Sequence, residues 1–344
     1  MMVMKPVALL VMIASLGQGL ADDGLDLDKV NARLVRVRRA CGDLCNASIN
    51  LSVKDHHAVA PPAAGDLLSA TRRAHIDCPL LLSESGIDTS WRGSGEARSA
   101  PEEIPLSLVS DFTMGGKVAL KRYSNGLLNA TYLEEGTGPR LIWTEKLITD
   151  QVQQARLGEL KGTYGKAETQ RLRRAIAAAN VWGMSALVIG SENPWVEALL
   201  LEAGVANVTS LEYSEIRSEH PQLRTLTPVR FRADSHSMPY DVIVTFSSLE
   251  HPGLGRYGDS LNPWGDLIAV ARGWCVAKPG AKLIIAVPTV KRDAIVWNAH
   301  REYGPLRYPH LVTNWKLIWA EGRGYQPPRI YARLPNAPRI HTYS

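Results

Sequence analysis

The sequence predicts an α/β protein with a mainly parallel sheet, and three observations carry that prediction. From Ser185 onward, short apolar runs alternate with segments of helical period, which is the pattern of parallel strands joined by crossover helices. Gly204 and the Lys278-Pro279-Gly280 turn lie where such elements would end. The chain has 344 residues, of which 45% are hydrophobic, so it can bury one large core and has room for two domains.

The N-terminal part predicts one helix, two loop regions and a β-rich segment. Apolar residues at helical spacing form a stripe of Leu27, Val30, Leu34, Val37 and Cys41. The opposite face, which we expect to be solvated, carries Arg33, Arg36 and Arg39. Residues 58–65 and 83–105 are rich in Pro, Gly, Ser and Ala and predict loops. Apolar runs interrupted by turn residues between positions 117 and 148 predict a small β element.

The C-terminal part predicts the helices and strands of the α/β domain. Good helix formers between Thr149 and Asn180 predict two helices, broken near residues 162–165. Strands are predicted at 186–189, 208–212, 229–232, 241–246, 282–287 and 329–334, and helices at 264–277 and 311–320. Asn193 is the predicted cap of the helix that follows the first strand.

The N-terminus predicts a secretory signal peptide. Lys5 precedes an apolar run from Val7 to Leu16, and the small residues Gly19 and Ala21 follow it. The run is shorter than the ~20 residues that span a bilayer, which makes an uncleaved anchor the weaker reading. We expect no membrane span after cleavage. The predicted organisation is a signal peptide at 1–21, an N-terminal extension at 22–148 and the α/β domain at 149–344.

Sequons and cysteines also indicate the secretory pathway, either its lumen or the extracellular space. N-x-[ST] triplets occur at Asn46, Asn50, Asn129 and Asn207. The cysteines are Cys41, Cys45, Cys78 and Cys275, which allow three complete pairings. We expect a bridge inside the N-terminal region. A zinc site is not expected, because the C-x3-C pair has no second pair to complete four ligands.

Charge and motifs exclude several classes of function. The net charge of +5 comes from 39 basic and 34 acidic residues, which is too mild and too mixed to predict a nucleic-acid surface. The sequence contains no G-x-S-x-G elbow, no Walker loop and no H-E-x-x-H. We therefore do not expect a serine hydrolase, a nucleotide hydrolase or a zinc protease.

The loop after the first predicted strand is unsuited to a dinucleotide. It reads Gly190-Ser191-Glu192-Asn193-Pro194, whereas a pyrophosphate needs G-x-G-x-x-G so that backbone amides can approach it. Glu192 adds a negative charge there and Pro194 has no N–H. This excludes NAD and FAD. A ribose without phosphates is easier to place, because Glu212 ends the second strand and can hold vicinal hydroxyls. The alternative is that Glu212 only opens the following turn.

Two segments carry a resemblance to a known family. The segments "YDVIVTFSSLEH" and "VAKPGAKLIIAVPT" resemble the fourth- and fifth-strand motifs of class I S-adenosylmethionine-dependent methyltransferases, which have a Rossmann-like fold. With "GSENPWVEA", "GDSLNPWGDL" and "NAHREYGPLRYPHL", the chain is more closely similar to an uncharacterised nematode and plant family known only as a domain of unknown function. The resemblance spans roughly residues 185–334.

The resemblance implies an S-adenosylmethionine site. Its implied cofactor residues are Gly190, Ser191, Glu192, Glu212, Asp234 and Ser247. Gly190 matches the first loop glycine, Glu212 the ribose carboxylate and Asp234 the acidic residue near the adenine amine. Glu192 departs from the family's glycines, and we expect it to pair with the ammonium of the methionine moiety. Positions 247–251 match the loop beside the transferred methyl group.

Two residues of that last loop are candidate catalytic groups. His251 is a candidate general base for a hydroxyl acceptor, because an unperturbed histidine has a pKa of ~6.5. Glu250 would orient His251 or bind the acceptor. The expected acceptor is a hydroxyl of a glycan, a small metabolite or a luminal protein.

The rival hypothesis is a non-catalytic secreted binding protein on the same fold, motivated by the missing loop glycines. An open cleft beside Gly190 and Glu212 favours the enzyme, whereas side chains of Glu192 or Trp195 filling that cleft favour the rival.

Overall fold

The computed structural model describes residues 25–48, 72–87, 100–121, 141–234, 239–321 and 324–338. The predicted signal peptide, the side chain of Asn46, and the sequons at Asn50 and Asn129 lie outside the described residues. Asn207 is described and is exposed at the start of a strand. Among the described residues, no helix has the length and apolar character needed to cross a bilayer.

The described helices are short to medium in length. They are α1 (Leu27–Cys41), α2 (Cys78–Ser83), α3 (Leu106–Phe112), α4 (Glu145–Arg156), α5 (Lys166–Ala179), α6 (Trp195–Glu202), α7 (Pro228–Asp234), α8 (Gly265–Val276) and α9 (Tyr308–Leu311). Two 3-10 helices lie at Gly42–Ser48 and Ser85–Ile87. The break between α4 and α5 confirms the two helices predicted there.

The strands of the described ranges form one large sheet and two small ones. The strands are β1 (Ala119–Lys121), β2 (Leu141–Trp143), β3 (Ser185–Ile189), β4 (Asn207–Leu211), β5 (Ile216–Ser218), β6 (Leu223–Leu226), β7 (Tyr240–Phe246), β8 (Ala277–Ala286), β9 (Ala294–Val296), β10 (His300–Glu302), β11 (Trp315–Ala320) and β12 (Arg329–Arg333). Within the predicted β-rich segment, β1 pairs with β9 and β2 pairs with β5, both in parallel.

The large sheet has seven strands in the order β11-β12-β8-β7-β3-β4-β6. The five strands from β8 to β6 are mutually parallel, whereas β12 runs antiparallel to both of its neighbours. The chain leaves β3 toward β4 on one side and later returns to β7 on the other, so the strand order reverses between β3 and β7. This is a doubly wound α/β sheet with a topological switch point, which confirms the predicted Rossmann-like fold class.

Alternate side chains of the sheet enter two separate cores. Leu187 and Ile189 of β3 pack with α8 and the N-terminal helices, whereas Ala186 and Val188 pack with α4, α5 and α6. This division follows from the alternation of side chains along a strand. Helix α1 therefore shares one core with the α/β sheet.

One disulfide lies within the N-terminal residues, and a second joins them to α8. Cys41–Cys45 closes a short loop within the N-terminal region, as predicted, and Cys78–Cys275 joins α2 to α8. Arg272 reinforces the second link, because its guanidinium donates to the carbonyl oxygens of Leu81 at 3.1 Å and Glu84 at 2.8 Å.

Two predicted elements were wrong. The predicted strand at 229–232 is helix α7, because Pro228 with its fixed φ begins a helix, and the third strand is β6. The predicted helix at 311–320 is strand β11, preceded by the short helix α9. Asn314 has a φ of +64°, which ends the helical path. Burial then alternates along β11 with the period of a strand.

Three local predictions were also wrong. The turn predicted at residues 278–280 lies within β8 as an irregularity in its pairing with β7, and Gly280 has a φ of +79° there. Arg33 is buried rather than solvated, and it donates to the carbonyl oxygens of Leu261 at 2.6 Å and Gly86 at 3.3 Å. Helix α6 has no side-chain cap, because the side chain of Asn193 instead accepts a hydrogen bond from Gln151 at 3.0 Å.

Candidate functional site

A cavity of about 500 Å³ lies at the carboxyl ends of β3, β4 and β7. In open α/β sheets, ligands bind at these ends, beside the point where strand order reverses. The volume falls in the range of small-molecule sites, which is about 300–1,000 Å³. The cavity brings together predicted site residues from three loops, namely Gly190, Ser191, Glu192, Glu212, Ser247 and His251.

Gly190 allows the loop after β3 and the loop after β7 to approach each other. Its φ is +76°, and a Cβ atom placed on it would lie 2.4 Å from the Cβ atom of Ser248. The Ser248 hydroxyl donates to the Gly190 carbonyl oxygen at 2.9 Å. Any larger residue at position 190 would therefore force the two loops apart.

Glu212 is held rigidly at the end of β4. One carboxylate oxygen accepts from the backbone N–H of Ser191 at 2.8 Å, and the other accepts from the N–H of Tyr213 at 2.6 Å. Only 8% of the residue is exposed, and it lines the cavity. A carboxylate oxygen can accept more than one hydrogen bond. Glu212 therefore links the loop after β3 to the end of β4 and places a carboxylate at the cavity.

Glu197 lies directly behind the loop that follows β3. The sequence did not identify it as a site residue. Its two carboxyl oxygens accept from the Ser191 hydroxyl at 2.9 Å and the Ser210 hydroxyl at 2.6 Å, and the residue is fully buried. Burial raises its pKa from 4.5 to about 7, against the opposing effect of those hydrogen bonds. A lone acidic residue inside the apolar helix "WVEALLLE" is the pattern that could have revealed it.

Glu197→Gln is expected to change how stability depends on pH. The raised pKa means that the folded state binds this proton more tightly than the unfolded state does. Its contribution to folding is complete below about pH 4.3 and is lost as the pH rises through 7. Relative to the variant, the wild type should lose roughly 3 kcal/mol between pH 5 and pH 8. Urea unfolding at each pH measures this difference, and parallel pH curves for the two proteins would contradict it.

Glu250 lies under the loop that follows β7. One of its oxygens accepts from the Ser247 hydroxyl at 2.6 Å, and the Ser247 oxygen accepts from Gln326 at 2.9 Å. The second oxygen of Glu250 is buried without a hydrogen-bond partner among the described residues. Burial raises the pKa of Glu250 to about 7 despite the hydrogen bond from Ser247. The group can therefore exchange a proton near neutral pH.

His251 presents one ring nitrogen as a proton acceptor. Its Nδ1 atom lies 2.7 Å from the Ala299 carbonyl oxygen, so this nitrogen carries the proton and Nε2 does not. Nε2 lies 3.8 Å from a Glu250 oxygen, beyond hydrogen-bond distance. Burial lowers the pKa of His251 to about 4, although the carbonyl acts in the opposite direction. The ring is therefore neutral at pH 7 and a weaker base than an unperturbed histidine.

Glu192 and Trp195 border the cavity, whereas the predicted site residue Asp234 lies outside it. Glu192 is exposed at the rim, and its carbonyl oxygen accepts from the Trp143 indole at 3.3 Å. Trp195 packs edge-on against Phe246 at 5.0 Å and lines the wall without filling the space. Asp234 is exposed at the end of α7 and does not line the cavity. Within the described ranges, no group of three or more metal-binding side chains occurs.

Comparisons with solved structures find methyltransferases of low identity. A Burkholderia thailandensis 1,6-didemethyltoxoflavin-N1-methyltransferase, solved with S-adenosylhomocysteine, is 14% identical, covers 55% of this chain and 88% of its own, and has a TM-score of 0.35. Mitomycin 7-O-methyltransferase MmcR is 15% identical over 55% of this chain and 60% of its own, with a TM-score of 0.34. The CcbJ methyltransferase of Streptomyces caelestis is 12% identical over 48% and 89%, with a TM-score of 0.34.

At these TM-scores the fold assignment rests on the strand order of the chain itself. A search of curated proteins finds no match. Residues 183–326 match the family model described as "Caenorhabditis protein of unknown function, DUF268", which confirms the predicted resemblance to an uncharacterised nematode family over that segment.

Proposed function

We propose that the protein is an S-adenosylmethionine-dependent methyltransferase whose cofactor occupies the cavity at the Gly190 loop and Glu212. The observation that carries this proposal is the open cavity itself. A buried carboxylate and a glycine loop from adjacent parallel strands line it at the switch point. Glu192 and Trp195 leave that space open, which favours the enzyme over the non-catalytic rival.

The residues present fit the cofactor's chemistry. The Glu212 oxygens, oriented by two backbone N–H groups, suit the vicinal hydroxyls of a ribose. Phe231 and Ile268 add apolar surface on which a purine can pack. Glu192, at the rim beside Ser191, supplies a negative charge for an ammonium group. Two phosphates would meet that same charge, so the loop favours a zwitterionic tail over a pyrophosphate.

The protein's own residues would position the acceptor and manage its proton. When bound, the cofactor supplies a methyl group on a good leaving group, so alignment and exclusion of water are the main requirements. His251 would accept a proton at Nε2, because Ala299 holds its other nitrogen. Glu250 would orient the Ser247 hydroxyl, which donates to it, and would exchange protons near neutral pH close to His251.

We further propose that the protein works in the secretory pathway, on a hydroxyl of a glycan, a small metabolite or a luminal protein. The disulfides Cys41–Cys45 and Cys78–Cys275 support this compartment, because disulfides persist in oxidising environments. The signal peptide and the sequons predicted from the sequence agree with it.

Calorimetric titration with S-adenosylhomocysteine tests the proposed function. We expect one saturable site in the wild type and loss of binding in Glu212→Ala, because the ribose then loses both carboxylate oxygens. Glu215→Ala is the matched control: Glu215 is an exposed glutamate that does not line the cavity, and it should bind normally. Urea unfolding would verify that Glu212→Ala remains folded. If no heat of binding is measured at millimolar S-adenosylhomocysteine, the methyltransferase proposal fails, and the non-catalytic binding protein is the better account of the cavity.

A further inference from the structure

Beside the end of β7, the cavity has an aromatic lining that the cofactor proposal does not use. Tyr164, Phe246 and Trp195 form a row, with ring centroids 5.4 Å apart for Tyr164–Phe246 and 5.0 Å for Trp195–Phe246. A second pair, His251 and Tyr257, packs edge-to-face at 5.4 Å. All five residues line the same cavity.

Polar groups of this wall meet at one place. Tyr164 interacts with the Ser247 hydroxyl, and Tyr164 and Tyr257 both lie near the Glu250 carboxyl group. The Nε2 atom of His251 has no hydrogen-bond partner among the described residues, and it lies 3.8 Å from a Glu250 oxygen. The wall therefore combines the faces and edges of aromatic rings with an acceptor nitrogen that is held in a fixed orientation.

The charges of the cavity disfavour an anion. Glu192, Glu212 and Asp259 contribute carboxyl groups to the lining. The lining guanidinium, Arg272, is directed to the main-chain carbonyl oxygens of α2 and its C-terminal end. Arg256 lies against the ring of Tyr257 at 5.6 Å and does not line the cavity. The lining carboxyl groups outnumber the lining guanidinium, so a carboxylate or phosphate is disfavoured there relative to a neutral ligand.

We propose that this wall is the acceptor subsite, and that it takes a small planar aromatic compound, neutral or cationic, whose hydroxyl group faces Nε2 of His251. The inference rests on the proposed function and narrows its acceptor from glycans and proteins to small aromatic molecules. Aromatic rings of the wall can stack or pack edge-on with a ligand ring, which adds to the free energy gained by burying its area.

Fluorescence titration with 2-naphthol tests the subsite directly, with the full chain saturated in S-adenosylhomocysteine. Two control ligands separate the causes: 2-naphthoate has the same rings with a negative charge, and methyl β-glucoside has hydroxyls without a ring. We expect saturable binding of 2-naphthol, binding of 2-naphthoate weaker by at least roughly tenfold, and no binding of the glucoside.

Variants then locate the binding. Tyr164 is 44% exposed, so replacing it should not unfold the chain. Tyr164→Ala should weaken 2-naphthol binding roughly tenfold and Tyr164→Phe should restore it, because the ring makes the contact. Tyr325→Ala is the matched control, since Tyr325 is 52% exposed and does not line the cavity.

Three outcomes would overturn the subsite: equal binding of 2-naphthoate, normal binding by Tyr164→Ala, or displacement of 2-naphthol by S-adenosylhomocysteine. If S-adenosylhomocysteine does not bind but 2-naphthol follows the expected pattern without it, the aromatic subsite stands. The methyltransferase function then fails independently.

Discussion

Asp266→Ala is expected to lower the free energy of unfolding by about 3–5 kcal/mol, because it leaves two guanidinium groups buried without their counter-charge. The Asp266 carboxylate accepts from Arg307 at 2.6 and 2.8 Å and from the Tyr303 hydroxyl at 3.0 Å. Arg301 lies 3.7 Å away, and the side chains of Asp266 and Arg301 are fully buried. Urea unfolding measures the loss.

Controls separate charge from packing. Asp266→Asn keeps the shape and removes the charge, and we expect it to be strongly destabilising as well. Asp150→Ala breaks an exposed pair with Lys146 and should cost less than about 1 kcal/mol. A loss below that value for Asp266→Ala would contradict the expected role of the cluster.

The same cluster supports the cavity. Arg301 donates to the carbonyl oxygens of Pro252 at 2.6 Å and Asn262 at 3.2 Å, and both residues line the cavity. Burial alone would raise the pKa of Asp266, but the charges of Arg301 and Arg307 outweigh it and hold the pKa below its ordinary value. The stabilisation is therefore present above about pH 3.9 and is lost as the pH falls through the lowered value.

Removing the Cys78–Cys275 bridge, with both cysteines changed to serine, is expected to cost about 2–5 kcal/mol. The bridge spans 197 residues of sequence, so its loss frees a long loop in the unfolded chain. The double variant Cys41→Ser/Cys45→Ser is the matched control. That bridge spans only 4 residues and should cost less. Urea unfolding compares the two, and equal losses would contradict the loop-length argument.

Sequence reasoning succeeded where local pattern and packing agree. Strands β3, β4, β7, β8 and β12 were predicted from short apolar runs. They are the inner strands of the large sheet, and strands that are covered on both faces carry mainly apolar residues. It failed at α7 and β11. Val229–Arg232 alternates apolar and basic residues as a strand does, but four residues are too few to distinguish a strand from a helix turn. At residues 311–320, the alternation of buried and exposed side chains results from the pairing of β11 with β12, which the local sequence does not indicate.

Among the residues of the candidate site, those fixed by local sequence pattern were predicted and those fixed by long-range packing were not. Gly190, Glu212 and the 247–251 loop were predicted together, because parallel strands bring their carboxyl ends to one edge. Asp234 was placed there on the assumption that a strand precedes it, and the helix α7 carries it away. Glu197 and the partners of Asp266 come from long-range packing. Asp266 and Arg307 are 41 residues apart, and no local pattern indicates that they meet.

A crystal structure grown with S-adenosylhomocysteine would test the central claim most directly. We expect the ligand in the cavity, with its ribose hydroxyls on the Glu212 carboxylate and its amino-acid end beside residues 190–193. Binding at any other surface, with no ligand atom within hydrogen-bond distance of the Glu212 carboxylate, would contradict the proposed cofactor site.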